Sequence, residues 1–199
     1  MESPTRASDR LLDAALDCFA AYGVRKTSVR DVAARAGVSA TTAYRAFATK
    51  PDLVAAVFRM EVGKFSTAYA KIAKAAADHE DLLRQTVPFV LGYFREHPVV
   101  SRIIADEPEQ ILGLLVQHGD EPTALELIRP TAEAAIVDGG SPEHLRGTPA
   151  QIAEWCVRML ISFHLVPRTT LTGEDQITEL LLHGVAQASA AAEPRRPQH

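Results

Sequence analysis

Two short helices separated by a glycine are indicated by residues 24–50, VRKTSVRDVAARAGVSATTAYRAFATK. Thr27 or Ser28 can cap the first helix. Gly37 ends that helix, because glycine tolerates the left-handed conformation that a tight stop requires. Ser39 offers the N-cap of the second helix. The apolar residues of the first helix recur at helical spacing: Val29, Val32, Ala33 and Ala36. The pattern predicts a helix-turn-helix motif, whose second helix enters the major groove of DNA.

The same segment concentrates positive charge. It has one acidic residue, Asp31, and six basic ones: Arg25, Lys26, Arg30, Arg35, Arg45 and Lys50. Residues 1–60 hold nine Lys or Arg and six Asp or Glu, a balance of +3, whereas the rest of the 199-residue chain balances at −7. Because an acidic surface repels phosphates, we expect nucleic acid to contact the N-terminal segment and not the remainder.

Helical periodicity continues along the chain, and no segment has the alternating pattern of a strand. Pro88 lies inside one expected helix and should kink it. The expected helices are residues 9–22, the two short ones above, 51–77, 80–96, 99–105, 108–117, 122–137, 150–166 and 173–192.

The sequence thus predicts an all-α fold of about nine helices in two domains. A three-helix, helix-turn-helix DNA-binding domain takes residues 1–52, and the helix from about residue 51 links it to the rest. Residues 53–192 form a larger helical domain for ligand binding and dimerisation, and residues 193–199 form a disordered tail.

Composition and motifs argue against several other classes of protein. No apolar run approaches the roughly 18 to 20 residues that span a bilayer. The first ten residues lack the apolar core of a signal peptide, so we expect a cytoplasmic protein without membrane association. Cys18 and Cys156 lie on apolar helical patterns and are expected to be buried thiols. The seven histidines show no metal-ligand spacing, and catalytic and nucleotide-binding motifs are missing. We therefore predict no metal, no cofactor and no enzymatic activity.

Residues 10–58, which we call the head, resemble the DNA-binding head of the tetracycline-repressor (TetR) family of bacterial transcriptional regulators. The resemblance covers about a quarter of the chain. It rests on an amphipathic helix ending in F-x-x-x-G, then TSVRDVAARAGVS, then T-x-Y-x-x-F and K-x-x-L.

The resemblance and the side-chain chemistry together predict the DNA contacts. Arg30 is long enough for bidentate recognition of guanine and is our first choice for a base contact. Tyr44 resembles the tyrosine with which the family binds phosphate, and Lys50 resembles its lysine just past the second helix. The predicted DNA-binding residues are Thr27, Ser28, Arg30, Thr41, Thr42, Tyr44, Arg45 and Lys50.

The chain departs from the family pattern at two alanines. Ala43 stands where the family often has a larger aliphatic residue, and Ala46 where an aromatic residue or histidine is common. The second change removes a backbone contact, so we expect affinity to depend more on Arg45 and Lys50. The residues expected in the core of the head are Val29, Val32, Val38 and Phe47.

By the same resemblance, a small ligand enters a cavity among the middle helices and shifts the spacing of two heads. The candidate lining residues are apolar or aromatic, as in most ligand cavities: Phe89, Tyr93, Ile104, Leu112, Leu115, Val116, Trp155, Met159 and Phe163. Apolar residues at helical spacing are also typical of an ordinary core, so a body that binds nothing stays open as an alternative.

A homodimer is expected through residues 150–166 and 173–192. Their apolar stripe includes Gly184 and Ala188, which allow helices to approach closely, and the family pairs these helices in a four-helix bundle. One short recognition helix covers too few base pairs for tight binding, whereas two-fold symmetry doubles the contacts on a palindrome.

Three functions remain open from the sequence. The first is a dimeric repressor that binds a palindromic double-stranded DNA operator and is released by an unknown small apolar or amphipathic molecule. The second is an orphan DNA-binding regulator of the same fold without a small-molecule effector. The third is a helical enzyme that carries the head.

Overall fold

A computed structural model describes residues 4–110, 122–139, 145–166, 170–171 and 173–185. No residue in these ranges lies in a β-strand, and the prediction of an all-α fold is confirmed. Apart from a helical stretch at residues 108–110, the helices in these ranges are α1 (Pro4–Tyr22), α2 (Val29–Ala36), α3 (Ala40–Ala46), α4 (Lys50–Ala75), α5 (His79–Glu96), α6 (Pro98–Asp106), α7 (Ala124–Asp138), α8 (Pro149–Leu165) and α9 (Glu174–Val185).

The helix bounds differ from the expected ones mainly at helix ends. Helix α1 begins at Pro4 instead of residue 9. The first turn of α1 is polar, so the spacing of apolar residues did not indicate that the helix starts this early. Pro88 lies inside α5 as predicted. The part of the expected 108–117 helix beyond residue 110, the end of the 173–192 helix after Val185, and the tail at 193–199 lie outside the described residues.

The chain divides into two compact units. Unit 1 comprises Met1–Ala68 and Val90–Ile128, and unit 2 comprises Tyr69–Phe89 and Arg129–His199. The domain boundary near residue 52 stays a prediction. None of the described helices is long and apolar enough to cross a membrane.

The core of unit 1 joins the head to α6. Phe19 of α1, Val32 of α2 and Leu53 of α4 are almost completely buried in it. Val99 and Ile103 of α6 belong to the same cluster. The apolar face of α6 therefore packs against α1 and shares the core of the head, although about forty residues separate α6 from the head in the sequence.

Unit 2 contains the end of α4, the start of α5 and most of α7, together with α8 and α9. Arg84 of α5 forms a salt bridge with Glu179 of α9 at 2.8 Å, and His79 Nε2 donates to the carbonyl of Ile136 at 2.7 Å. The buried residues that make its core include Leu83, Val87, Ala135, Ile136, Ile152, Val157, Leu160, Ile177 and Leu181.

Capping boxes start several helices, and the one at α2 bears directly on the motif. The Ser28 N–H donates to Asp31 Oδ2 at 2.8 Å, and the Asp31 N–H donates to Ser28 Oγ at 3.2 Å. The two bonds satisfy backbone donors that a helix start leaves without partners. Equivalent pairs start α4, α7 and α8: Thr49 with Asp52, Thr123 with Glu126, and Thr148 with Gln151.

Ser28→Ala should lower the free energy of unfolding by about 1 kcal/mol, because the Asp31 amide loses its acceptor. Urea denaturation followed by circular dichroism measures this. Thr67→Ala is the control, since the Thr67 hydroxyl donates to the Gly63 carbonyl inside α4 and caps nothing. That variant should leave stability unchanged or slightly raised. Equal losses in the two variants would contradict the capping role.

His97 connects the start of α6 to α4. Its Nδ1 accepts the amide of Val100 at 3.3 Å, so the ring proton lies on Nε2. Nε2 donates to Glu61 Oε2 at 2.7 Å, and both side chains are largely buried. The hydrogen bond from His97, aided by Lys64, holds the pKa of Glu61 below its ordinary value although burial opposes this shift.

Glu61→Gln should make the melting temperature less sensitive to acid. The pKa of the Glu61 carboxylate is about 4.5 in the unfolded chain and lower in the folded chain. The ionised carboxylate therefore stabilises the fold at pH values above 4.5, and this contribution is lost as the pH falls through the folded pKa. The wild type should therefore melt progressively lower from roughly pH 5 to pH 3, and Glu61→Gln should fall less steeply while melting lower at pH 7. Asp13→Asn, which removes an exposed carboxylate, should keep the wild-type slope. Parallel slopes for Glu61→Gln and the wild type would refute this role.

Candidate nucleic-acid interface

The turn between α2 and α3 is fixed by backbone bonds and by α1. Gly37 has φ 67°, in the left-handed region. Its N–H donates to Ala34 O at 3.2 Å, and the Val38 N–H donates to Ala33 O at 3.0 Å, a Schellman-type end. Arg10 of α1 donates to the carbonyl of Ala36 at the end of α2. Glycine is required here because other residues are strained at this φ.

Helix α3 packs on the head through a single fully buried residue, Ala43. Ser39 Oγ caps the helix by accepting the amide of Thr42 at 3.1 Å. The burial of Ala43 brings α3 close to the core, and it leaves Thr41, Tyr44 and Arg45 exposed. These three side chains are the exposed polar groups of α3, and a nucleic acid can reach them.

The predicted contacts differ in how exposed they are. Ser28, Arg30, Thr41, Tyr44 and Arg45 are exposed, Thr42 and Lys50 are half-buried, and Thr27 is buried.

Besides Ser28, whose hydroxyl caps α2, three of these side chains form hydrogen bonds within the protein. The Thr27 hydroxyl donates to the carbonyl of Gly23 at 2.8 Å. Thr42 Oγ1 lies 2.9 Å from Ser39 Oγ. Lys50 Nζ donates to the carbonyl of Arg25 at 2.9 Å. Of the three, Thr27 is the one whose side chain is withdrawn from the surface.

Two other charged residues of the head have partners on the protein. The hydrogen bonds from Ser28 lower the pKa of Asp31, so this carboxylate is ionised at neutral pH. The Arg35 guanidinium pairs with Asp17 Oδ2 of α1 at 2.7 Å. Arg30 lies five residues before Arg35 and is exposed, and among the basic residues of α2 it is the better placed for DNA.

The residues predicted to line a ligand cavity are distributed over both units. Tyr93 and Ile104 are half-buried in unit 1, and Phe89, Met159 and Phe163 are half-buried in unit 2. Trp155 is 37% exposed. Leu112, Leu115 and Val116 lie outside the described residues. An open groove of about 530 Å³ lies on the head, and none of the predicted ligand residues lines it.

Both cysteines are free thiols. Cys18 is buried in the head, as expected, and burial raises its pKa. Cys156 is half-buried, and desolvation raises the pKa of its thiol to about 12. Both thiols are therefore protonated at neutral pH. In the described part of the chain, no three His, Cys, Asp or Glu side chains are grouped so that they could hold a metal ion.

One residue at this site was missed by the sequence analysis. Glu107, which follows α6, is only 3% exposed, and its Oε2 accepts the N–H of Arg25 at 2.9 Å. These two residues are 82 positions apart. A single acid after a helix gives no local signal of such a contact.

The site consists of a short helix, a left-handed glycine and a second short helix with exposed basic and hydroxyl side chains. This arrangement defines a helix-turn-helix DNA-binding protein. Residues 11–57 match the family described as "Bacterial regulatory proteins, tetR family". The head of the chain is thus similar to the DNA-binding domain of TetR-family transcriptional regulators.

Two curated relatives extend the likeness beyond the head. The chain is 29% identical over 139 residues to the HTH-type transcriptional repressor NicS of Pseudomonas putida, a match that covers 67% of this chain and 65% of NicS. It is 28% identical over 188 residues to an uncharacterised HTH-type transcriptional regulator of Mycobacterium tuberculosis, covering 94% of this chain and 89% of that protein. The chain thus matches slightly less than two thirds of the length of NicS.

Solved structures share the fold over most of the chain. RolR in complex with resorcinol superposes with a TM-score of 0.69 at 15% identity, covering 92% of this chain and 88% of RolR. The multidrug binding protein EbrR in complex with imidazole gives a TM-score of 0.66 at 22% identity, covering 94% of each chain. At these identities the likeness shows the fold alone.

Proposed function

We propose that this regulator is a repressor that binds a palindromic operator as a homodimer and is released by a small apolar or amphipathic molecule. The observation that carries the proposal is the exposed face of α2 and α3. Arg30, Thr41, Tyr44 and Arg45 are all exposed beside a turn that Gly37 fixes.

Each exposed group suits a particular part of DNA. Arg30 reads a guanine through two hydrogen bonds, and Thr41 contacts a base edge or a thymine methyl group. The Tyr44 hydroxyl donates to a phosphate. Lys50 has three ammonium donors and uses one on the Arg25 carbonyl, so two stay available for phosphate. We leave Thr27 out of the proposed contacts, because its buried hydroxyl already shapes the turn before α2.

Exposed apolar residues on α8 and α9 support the homodimer. Trp155 is 37% exposed and Leu180 56% exposed. The Trp155 ring lies on α9 at Gly184, where a Cβ atom would be only 2.5 Å from Cη2 of the ring. The absence of a side chain at Gly184 thus leaves room for the indole of Trp155 to pack on α9. We call Trp155, Leu180 and Gly184 the dimer face, and we move Trp155 from the proposed ligand cavity to it. A second copy that covers this face would remove its apolar surface from water.

The repressor and effector parts of the proposal are supported by the relatives. NicS carries the name of a repressor. RolR was solved with resorcinol and EbrR with imidazole, both small molecules. For this chain we keep Phe89, Met159 and Phe163 of unit 2 as proposed effector contacts.

The DNA-binding proposal is tested by selecting duplexes from a random-sequence library with the full chain. We expect one palindromic sequence to be enriched. The logarithm of its affinity should fall linearly with the logarithm of salt concentration, because bound phosphates release counterions. Enrichment of no sequence, or affinity independent of salt, would refute the proposal.

The effector is tested on the complex of the chain with the selected duplex. A collection of apolar and amphipathic metabolites, including resorcinol, is screened for release of the labelled duplex. We expect at least one compound to release it, and Phe163→Ala should weaken that response without weakening DNA binding. A chain that none of the compounds releases would instead be the orphan regulator.

A further inference from the structure

The turn between α1 and α2 is built around a buried acid from outside the head. Glu107 comes directly after α6 and is 3% exposed. Its Oε2 accepts the backbone N–H of Arg25 at 2.9 Å. A buried carboxylate loses the hydration that it has in water, so it requires hydrogen bonds from the protein. Here a backbone amide of the DNA-binding head provides one.

Three further hydrogen bonds hold the turn between α1 and α2. Lys50 Nζ donates to the carbonyl of Arg25 at 2.9 Å, so this residue is bound through both its N–H and its C=O. The Thr27 hydroxyl donates to the carbonyl of Gly23 at 2.8 Å. Arg102 of α6 donates from Nη1 to the carbonyl of Ala20 at the end of α1, at 3.3 Å.

Gly23 leaves the space that Glu107 occupies. Its φ is 84°, which L side chains rarely adopt. A Cβ atom at this position would collide with the Glu107 carboxylate, and it would lie 3.7 Å from Arg102 Nε. The absence of a side chain at Gly23 therefore serves both the backbone conformation and the approach of α6.

We propose that Glu107 is a positioning residue for DNA binding. Its carboxylate fixes the peptide of Arg25 and, through it, the direction in which the chain enters α2. That direction places Ser28 and Arg30, at the start of α2, against the DNA. The inference rests on the DNA contacts proposed above.

The test compares variants of Glu107 with matched variants of Glu109 in the full chain. Glu109 is two residues further along, and its side chain is 55% exposed and lies 4.0 Å from the Arg25 guanidinium. Glu107→Ala and Glu109→Ala remove the same charge near the same arginine. A general electrostatic effect on DNA affinity would therefore appear in both variants, and a positioning effect in Glu107→Ala only.

Two readouts are needed: affinity for the duplex selected by the wild type, and hydrogen–deuterium exchange of the Arg25 amide. Glu107→Ala should weaken binding roughly tenfold relative to Glu109→Ala. Its Arg25 amide should exchange faster, while the amides inside α2 and α3 stay protected. Glu107→Gln keeps a side-chain oxygen as acceptor, so it should retain most of the wild-type DNA affinity and most of the protection of the Arg25 amide. Equal affinities for Glu107→Ala and Glu109→Ala would overturn the inference, as would uniformly faster exchange throughout the head.

If Glu107→Ala does not fold, Glu107→Asp carries the test. It keeps the charge but shortens the side chain by one methylene, so it should weaken both binding and Arg25 protection. Unchanged affinity and exchange in a folded Glu107→Asp would overturn the inference. Failure of the underlying function looks different, because the wild type would then enrich no duplex. If the wild type binds and Glu107→Ala matches Glu109→Ala, only the positioning role fails.

Discussion

Arg30→Ala combined with Tyr44→Phe should abolish specific binding of the selected duplex, lowering its affinity at least about 100-fold. A bidentate contact from arginine to guanine is worth roughly 1–3 kcal/mol, and a dimer makes it twice. Loss of the Tyr44 hydroxyl removes a phosphate contact from each half-site as well. Fluorescence anisotropy with a labelled duplex measures the change. Both side chains are exposed, so the melting temperature should stay close to that of the wild type.

The control for this variant lies on the same head. Arg35→Ala combined with Tyr22→Phe removes the same charge and the same hydroxyl from exposed positions. Arg35 is paired with Asp17, and exposed pairs contribute little to stability. The control should bind the duplex nearly as well as the wild type. If the Arg30 and Tyr44 variant retained affinity with the wild-type dependence on salt, the assignment of this face to DNA would be wrong.

Leu180→Asp should convert the proposed homodimer to a monomer and lower operator affinity at least about 100-fold. In a dimer that covers the dimer face, the new carboxylate would be buried without a partner, which costs several kcal/mol. A monomer then binds one half-site and loses the contacts of the other. Sedimentation velocity reports the oligomeric state. Trp155 is the single tryptophan of the chain, so its emission should shift to longer wavelength as the dimer face becomes exposed.

Val137→Asp is the matched control for the dimer. Val137 of α7 is 55% exposed, almost as much as Leu180, and it lies outside the dimer face. The control should remain a dimer with wild-type affinity for the duplex. A Leu180→Asp variant that sediments as the wild type does would place the dimer contact on another surface.

The helix-turn-helix was predictable because every signal for it is local. Ser28 and Asp31 are three residues apart, and together they cap α2. The helix ends where the Gly37 N–H donates to the carbonyl three residues earlier and the Val38 N–H donates to the carbonyl five residues earlier. Such contacts depend on neighbours in the chain, so the residue types alone indicate them. The burial of Val29 and Val32 follows from their spacing on one helical face.

Residues whose roles depend on contacts across the fold could not be predicted in this way. Thr27 carries a hydroxyl suited to phosphate, yet packing of α1 and α2 encloses it. Trp155 is an aromatic residue of the kind that often lines a ligand cavity, but its ring lies on Gly184 of the next helix. Neither residue type nor spacing distinguishes these outcomes.

The sequence by itself determined the all-α fold, the helix-turn-helix and the similarity of the head to the TetR family, because caps, turns and helical periods act over a few residues. Only the tertiary structure decided that α6 shares the core of the head and that Glu107 binds the Arg25 peptide. Bringing together groups 82 residues apart depends on how whole helices pack. The packing energy behind such a contact is summed over many side chains, and no single position in the sequence encodes it.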